Sequence, residues 1–399
     1  MAALRYLVPA LAVAGRAAAQ CSAAATTTLQ SAADASALSS CSTFSGSIAI
    51  ATGTTDAIAL DGITRITGSL VADNVTQITQ LSGDSLAIID DSFTLNSLTI
   101  LSTLSFPRLE SVATIDWTAL PALQGLSFTT GVQTAGSVSI INTQLATLDG
   151  IDLTTVDSMT ISNNDYLDDI NMQIGNISTS LIIEANGRNV SASFPNLEWA
   201  YNITLRNVTA VSMPSLASLN GSMGFYANFF TSVAAPNLTT VGGSLSFVSN
   251  EDMTNITFPE LKTVSGGLQV ANNTAIKSIS FPALETVGGA LDFNGNFTSV
   301  TLPDLEDVKG AFNLQSSGDI DTACSHFEPL SGSNNVIKGT YTCAGGESTV
   351  GGTGTLTPGT NSGGSSTSSS ATSSSAANAV LFSGATGLMG VVAAIFGML

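Results

Sequence analysis

Residues 258–312 read FPELKTVSGGLQVANNTAIKSISFPALETVGGALDFNGNFTSVTLPDLEDVKGAF. One phrase is repeated nearly three times: an apolar residue and Pro, then x-L-x-x-V, two or three small residues, a Leu, and an Asn-rich corner. A period this short signals a coil of stacked turns. A single turn cannot bury its apolar face, whereas stacked turns bury a continuous core.

The same ruler runs outward through the chain. Pro recurs at positions 107, 121, 195, 214, 236, 259, 282 and 303, and from Pro195 onward the steps are 19, 22, 23, 23 and 21 residues. Asn142, Asn164, Asn186, Asn207, Asn228, Asn250, Asn273 and Asn296 form a second ruler with steps of 21 to 23 residues, covering the stretch where Pro is missing. Between them lie SVSI, SMTI, SLII, SLSF, GLQV and ALDF, which alternate and are bounded by Gly and Asn. These are read as short strands, with no amphipathic helix longer than two turns between residues 45 and 320.

The fold class expected is all-β: a right-handed parallel β solenoid over residues 46–320 with repeats of about 22 residues. Roughly a dozen turns at about 4.8 Å each make a rod of about 60 Å. Pro suits a corner where no N–H is needed. Asn suits a corner because its amide can bond the backbone of the next turn and stack on its equivalents. On this reading Asn74, Asn207 and Asn296 belong to the inward ladder, and Asn272 precedes ladder residue Asn273.

The four cysteines lie at the two ends of the coil, Cys21 and Cys41 before it and Cys324 and Cys343 after it. Four cysteines allow three connectivities. In an elongated stack the ends are distant, so local pairing within residues 20–45 and within 321–343 is the simplest. Each pair then closes a cap over an open strand edge, the first with a short helix.

Both termini read as processing signals. Residues 1–19 have the pattern of a secretory signal peptide. Residues 344–378 are rich in Ser, Thr and Gly and are expected to form a disordered stalk. Residues 379–399 form an apolar tail with no basic residue after it, expected to be removed on attachment of a GPI lipid at Asn378, with Ser375 and Ser383 as alternatives. Secretion fits ten N-x-S/T sequons, at Asn74, Asn176, Asn189, Asn202, Asn207, Asn220, Asn237, Asn255, Asn272 and Asn296. Glycans are expected above all at Asn176, Asn189, Asn202, Asn220, Asn237 and Asn255, which are off the Asn ruler.

The 399-residue chain carries a formal charge of −19. Residues 20–378 contain 8 basic and 29 acidic side chains, a charge of −21. Nucleic acid is therefore repelled. The residues offer little for catalysis. His326 is the single histidine, no GxSxG precedes it, and HExxH and P-loop patterns are missing, so no cofactor or metal is called for. The Asp90–Asp91 and Asp168–Asp169 pairs, with Asp165 near the second, are the one enzymatic candidate. Neighbouring strand residues point to opposite faces, so neither pair straddles a glycosidic bond. The NNDYLDD stretch at residues 163–169 departs from the EF-hand loop spacing. For ligand contact the densest aromatic group is GFYANFF, residues 224–230. Alternation assigns Phe225 and Phe230 to the core and leaves Tyr226 and Phe229 as possible surface contacts.

An export signal, repeats of the FPxLxxVxGxLxxxxN type, a Cys pair at each end, a Ser-rich stalk and a GPI tail together resemble the fungal GPI-anchored cell-wall organisation glycoproteins. That group contains the extracellular-mutant and sporulation-specific proteins and has receptor-L-domain-like repeats. The resemblance covers almost the whole chain. It implies a non-enzymatic role in wall assembly at the outer face of the plasma membrane and in the wall. Partners would be the membrane, through the lipid, and wall polysaccharide or wall proteins. The alternatives are an adhesin-like or receptor-like binding module and, third, a wall-polysaccharide hydrolase or transglycosylase.

Overall fold

The structure, a computed structural model, describes residues 21–346. The expected signal peptide, most of the stalk, Asn378 and the apolar tail lie outside the described residues. The chain is a parallel β solenoid of about 13 turns with repeats of about 22 residues. Every paired strand is parallel, and the main sheet has 23 strands. Among the described residues the helices are Ala32–Ala37, Asp321–Phe327 and a 3-10 turn at Glu328–Leu330, none of which interrupts the coil.

The turn around residues 236–258 shows how sequence becomes cross-section. Thr240–Val241 and Leu245–Val248 form two limbs of the main sheet, joined by a bend at Gly242 and Gly243. Asn255–Thr257 then forms a narrow third side, pairing with Ser232–Ala234 of the preceding turn. On the long limb Phe225, Phe247, Val270, Phe293 and Leu314 stand in one register column. All five are buried, and Phe225 stacks on Phe247 with centroids 5.1 Å apart. A one-residue slip would turn the whole column outward, so burial fixes the register.

The first corner holds the Pro. The Leu261 N–H donates to the Phe258 carbonyl, and the same bond recurs at Leu109, Leu197, Leu216, Leu238, Leu284 and Leu305. Pro thus occupies the second position of a β-turn, where its fixed φ is preset and its missing N–H is not needed. The second corner is the Gly bend. A Cβ at Gly289 would lie 2.8 Å from the Gly266 carbonyl carbon, and one at Gly310 would lie 2.6 Å from that of Gly289. Turns approach too closely here for any side chain. Beside this bend runs a hydroxyl ladder: Ser222 Oγ accepts from the Ser244 N–H (3.1 Å) and Ser244 Oγ from the Gly267 N–H (3.1 Å). Ser47 and Ser69 repeat it near the N-terminal end.

The third corner corrects the single Asn ruler. It holds two adjacent rows. The first takes left-handed backbone: Asn74, Asn142, Asn163, Asn207 and Asn272 have φ between 53° and 58°, a conformation Asn tolerates. The next residue faces inward and forms the ladder: Asn164 and Asn186 in one run, Asn228, Asn250 and Asn273 in another, all buried. Asn250 Oδ1 accepts from the Asn228 N–H (3.0 Å) and Nδ2 (2.9 Å), while its own Nδ2 donates to the Phe225 carbonyl (3.0 Å). Asn74 and Asn207 therefore stand in the left-handed row rather than the ladder, and Asn296 is exposed.

Both disulfides are local. Cys21–Cys41 and Cys324–Cys343 have Cα separations of 5.4 and 5.6 Å. The ends are more than caps. Thr27–Leu29 already pairs with Ile48–Ile50, and Tyr341–Ala344 pairs with Phe312–Ser316. Each Cys-bracketed segment thus contributes a strand of the stack together with its helix.

Candidate functional site

The outer face of the long limb is built in register from turn to turn. Two columns of side chains project from it, one residue on either side of the buried Phe225 column. In the C-terminal half the first column runs Thr204, Gly224, Ser246, Gln269, Asp292, Asn313, and the second Arg206, Tyr226, Val248, Ala271, Asn294, Gln315.

Tyr226 lies flat on this face. A Cβ at Gly224 would fall 2.3 Å from the Tyr226 ring, so Gly224 makes room for it. The Arg206 guanidinium sits over the ring at 5.0 Å from its centroid, and Glu184 faces Arg206 at 3.6 Å. Burial pushes the Tyr226 phenol above its usual range, opposed by its hydrogen bond with Ser246 and by the Arg206 charge. With Gly224 beneath the ring and Arg206 above, Tyr226 is not an open stacking platform. Phe229 is 45% exposed but lies past the corner at Ala227 and Asn228. The two expected contacts do not share a surface. Phe225 and Phe230 are buried in the core, as alternation requires.

Further along the face Asp292, only 5% exposed, collects amide donors. Asn313 Nδ2 donates to it at 2.7 Å, Gln269 Nε2 at 3.1 Å and Asn294 Nδ2 at 3.4 Å, while Gln315 Nε2 donates to Asn313 Oδ1 at 2.7 Å. Multiple N–H donors are what a desolvated carboxylate requires. Sequence reasoning missed this group because it searched for aromatics. The signal was there in the outward position of each L-x-h strand, where small residues give way to Gln269, Asp292 and Asn313.

The other candidates are scattered. Asp90 pairs with Arg65 at 2.9 Å and Asp91 accepts from Ser69 at 2.8 Å. Asp169 accepts from Ser191 at 2.5 Å. Asp165 and Asp168 border a shallow open depression of about 440 Å³ with Tyr166 and Arg188, and sequon residue Asn189 stands on its rim. His326 is exposed on the closing helix and packs edge-on against Phe327. Among the described residues no three His, Cys, Asp or Glu side chains gather as a metal site. Of the ten sequon asparagines none is buried: Asn176, Asn202 and Asn207 are half-buried and the other seven exposed.

No solved structure matches the chain. A family model described as "Ecm33: GPI-anchored cell wall organization protein" matches residues 1–39. Three curated relatives align over most of the length. Protein ecm33 of Aspergillus fumigatus is 43% identical over 350 residues, 87% of each chain. A cell surface GPI-anchored protein of Arthroderma benhamiae is 42% identical over 86% of this chain and 88% of its own. Cell wall protein ecm33 of Schizosaccharomyces pombe is 37% identical over 78% and 74%. None of these names describes an enzyme. With identities of this size over most of the chain, the chain belongs to the Ecm33 family of GPI-anchored cell wall organisation proteins.

Proposed function

We propose that this protein is a cell-surface scaffold that organises the fungal wall without catalysing a reaction. One observation carries the non-enzymatic reading. Three of the five carboxylates singled out as catalytic candidates are engaged in separate contacts, Asp90 with Arg65, Asp91 with Ser69 and Asp169 with Ser191, and the other two, Asp165 and Asp168, border the open depression. Glycoside hydrolysis needs two carboxyls facing one bond about 5 or 7–9 Å apart. Catalytic sites also sit in clefts, whereas the depression beside Asp165 and Asp168 is shallow and open.

The processing scheme belongs to the same proposal. Residues 1–19 are removed on export. The coil stands on the stalk of residues 344–378, and a GPI lipid on Asn378 replaces residues 379–399 and holds the protein at the outer face of the plasma membrane. The ten sequons carry N-glycans, a reading supported by the solvent access of all ten asparagines. A rigid coil on an anchored stalk spaces wall components by its length and its glycan coat.

The test is genetic and chemical together. Deleting the gene should sensitise cells to dyes that bind chitin or glucan. The purified glycoprotein should release no reducing ends from glucan, chitin or mannan. Normal dye resistance in the deletion strain would remove the wall role, and a measurable release of reducing ends would remove the non-enzymatic one.

A further inference from the structure

The ten sequons are not placed at random around the cross-section. Asn176 is on the short limb, Asn202 and Asn220 border the bend, and Asn237 follows the Pro corner. Asn74, Asn207 and Asn272 take the left-handed corner. Asn189 and Asn296 lie just past it, and Asn255 begins a strand of the narrow side. Neither outward column of the long limb contains one. Sugars on these asparagines would clothe the other sides and flank this face while leaving it bare.

The bare face also has a distinct chemistry toward its C-terminal end. From Thr204 to Ala344 its charged side chains are Arg206 and Asp292, one of each sign, in a chain whose net charge is −19. Four amides gather around Asp292. Among the described residues the side-chain carbonyls of Gln269, Asn294 and Gln315 accept no hydrogen bond, yet the one buried polar side-chain atom without a partner is Trp117 Nε1. Asp292, Asn294 and Asn313 are only 4–5% exposed, so the solvent-facing groups of this patch are the half-buried Gln269 and Gln315. The large exposed apolar side chains, Ile100, Tyr166, Tyr201 and Phe229, are all elsewhere.

We propose that the outer face of the long limb around Gln269, Asp292, Asn313 and Gln315 binds an uncharged, hydroxyl-rich polysaccharide. Charge decides the occupant. A polyanion finds no cationic track here, and an electroneutral patch gives a polycation no attraction. A protein partner would need the apolar, aromatic centre that stable interfaces carry. Hydroxyls both donate and accept, and amides and a carboxylate supply the matching set. Equivalent side chains recur from turn to turn about 4.8 Å apart, so a linear chain of sugar rings can lie along the stack and meet one row after another.

This inference rests on the wall-organising reading, and the experiment separates the two. The full-length protein, made in its own secretory route and held in detergent, is passed over glucan particles, chitin beads and, as a cationic control, chitosan beads. Q269N/A271T creates a sequon on the face, and S278N creates one on the narrow side. A gain in mass reversed by deglycosylation shows that each is occupied. Q269A/Q315A removes two amides without adding bulk. Wild type and S278N should be retained on glucan or chitin, and both face variants should lose about ten-fold in affinity. Equal retention of all four proteins, or retention on chitosan alone, would overturn the proposal, as would wild type that no neutral polymer holds. A strain whose wall defect Q269N/A271T repairs as well as wild type also speaks against the face while leaving the wall role intact. A deletion strain with no wall defect refutes the wall role itself.

Discussion

Truncating Asn250 isolates the contribution of the ladder. Its side chain is fully buried and bonds to both neighbouring turns. In N250A the Asn228 N–H loses its acceptor at 3.0 Å and one N–H of the Asn228 amide loses its acceptor at 2.9 Å. The Phe225 carbonyl loses a donor at 3.0 Å. Each donor left buried and unpaired costs about 1–3 kcal/mol, and the vacated amide volume adds a cavity cost. The expected loss is about 3–5 kcal/mol, read as a drop in the urea midpoint at unchanged slope. N228A/N250A should cost less than the sum of the single changes, because each single change removes the same Asn228 Nδ2–Asn250 Oδ1 bond. A loss below about 1 kcal/mol for N250A, or strict additivity in the pair, would show that the row is tolerated rather than stabilising.

Three further outcomes are expected. Replacing Cys21 and Cys41 together by Ser should cost about 3 kcal/mol and raise proteolysis in the first turns, since Thr27–Leu29 is the edge strand that the bridge secures. Trp117 is fully buried edge-on against Phe93 and Phe128, with no acceptor for its indole N–H among the described residues. W117F removes that orphan along with some packing, so it should cost far less than the roughly 3–5 kcal/mol of W117A, measured by thermal unfolding. The Tyr226 phenol is raised above its ordinary 10.0 in the folded protein. A group with a raised folded value contributes stability that is present below pH 10 and lost as pH rises through the folded value. Wild type should therefore lose stability above pH 10 more steeply than Y226F, compared by urea midpoints from pH 8 to 11.

Much of the coil was legible because its corners are chemically distinct. Pro at the second position of a turn, Gly where backbones nearly touch, and Asn where a buried amide spans two turns recur at one spacing. What sequence alone could not separate was the pair of adjacent rows at the Asn corner. Asn supplies both left-handed backbone and a buried amide, so Asn207 and Asn228 look alike until φ and burial are known. The hydroxyl ladder of Ser222 and Ser244 was hidden for a similar reason, since Ser beside Gly reads as an ordinary turn. The first turns were obscured because Ser97 and Ala119 hold the left-handed row there, with Leu98 and Leu120 in place of ladder asparagines. The face around Asp292 was invisible to a search for aromatic stacking, because its binding groups are amides. Tyr226 was found, but which neighbours cover its two faces depends on Gly224 and on Arg206 one turn away.

The central claim is that this protein serves the wall as a scaffold and not as a catalyst. Its most direct test is complementation of a deletion strain by a chain in which Asp90, Asp91, Asp165, Asp168 and Asp169 are all changed to Asn. Exposed ion pairs such as Arg65–Asp90 contribute little to stability, so the variant should fold and reach the surface, verified by its abundance there. Restored resistance to chitin-binding and glucan-binding dyes, equal to wild type, is the result predicted. A variant present at the surface in normal amount that leaves the wall as sensitive as the deletion would contradict the account and return these carboxylates to catalysis.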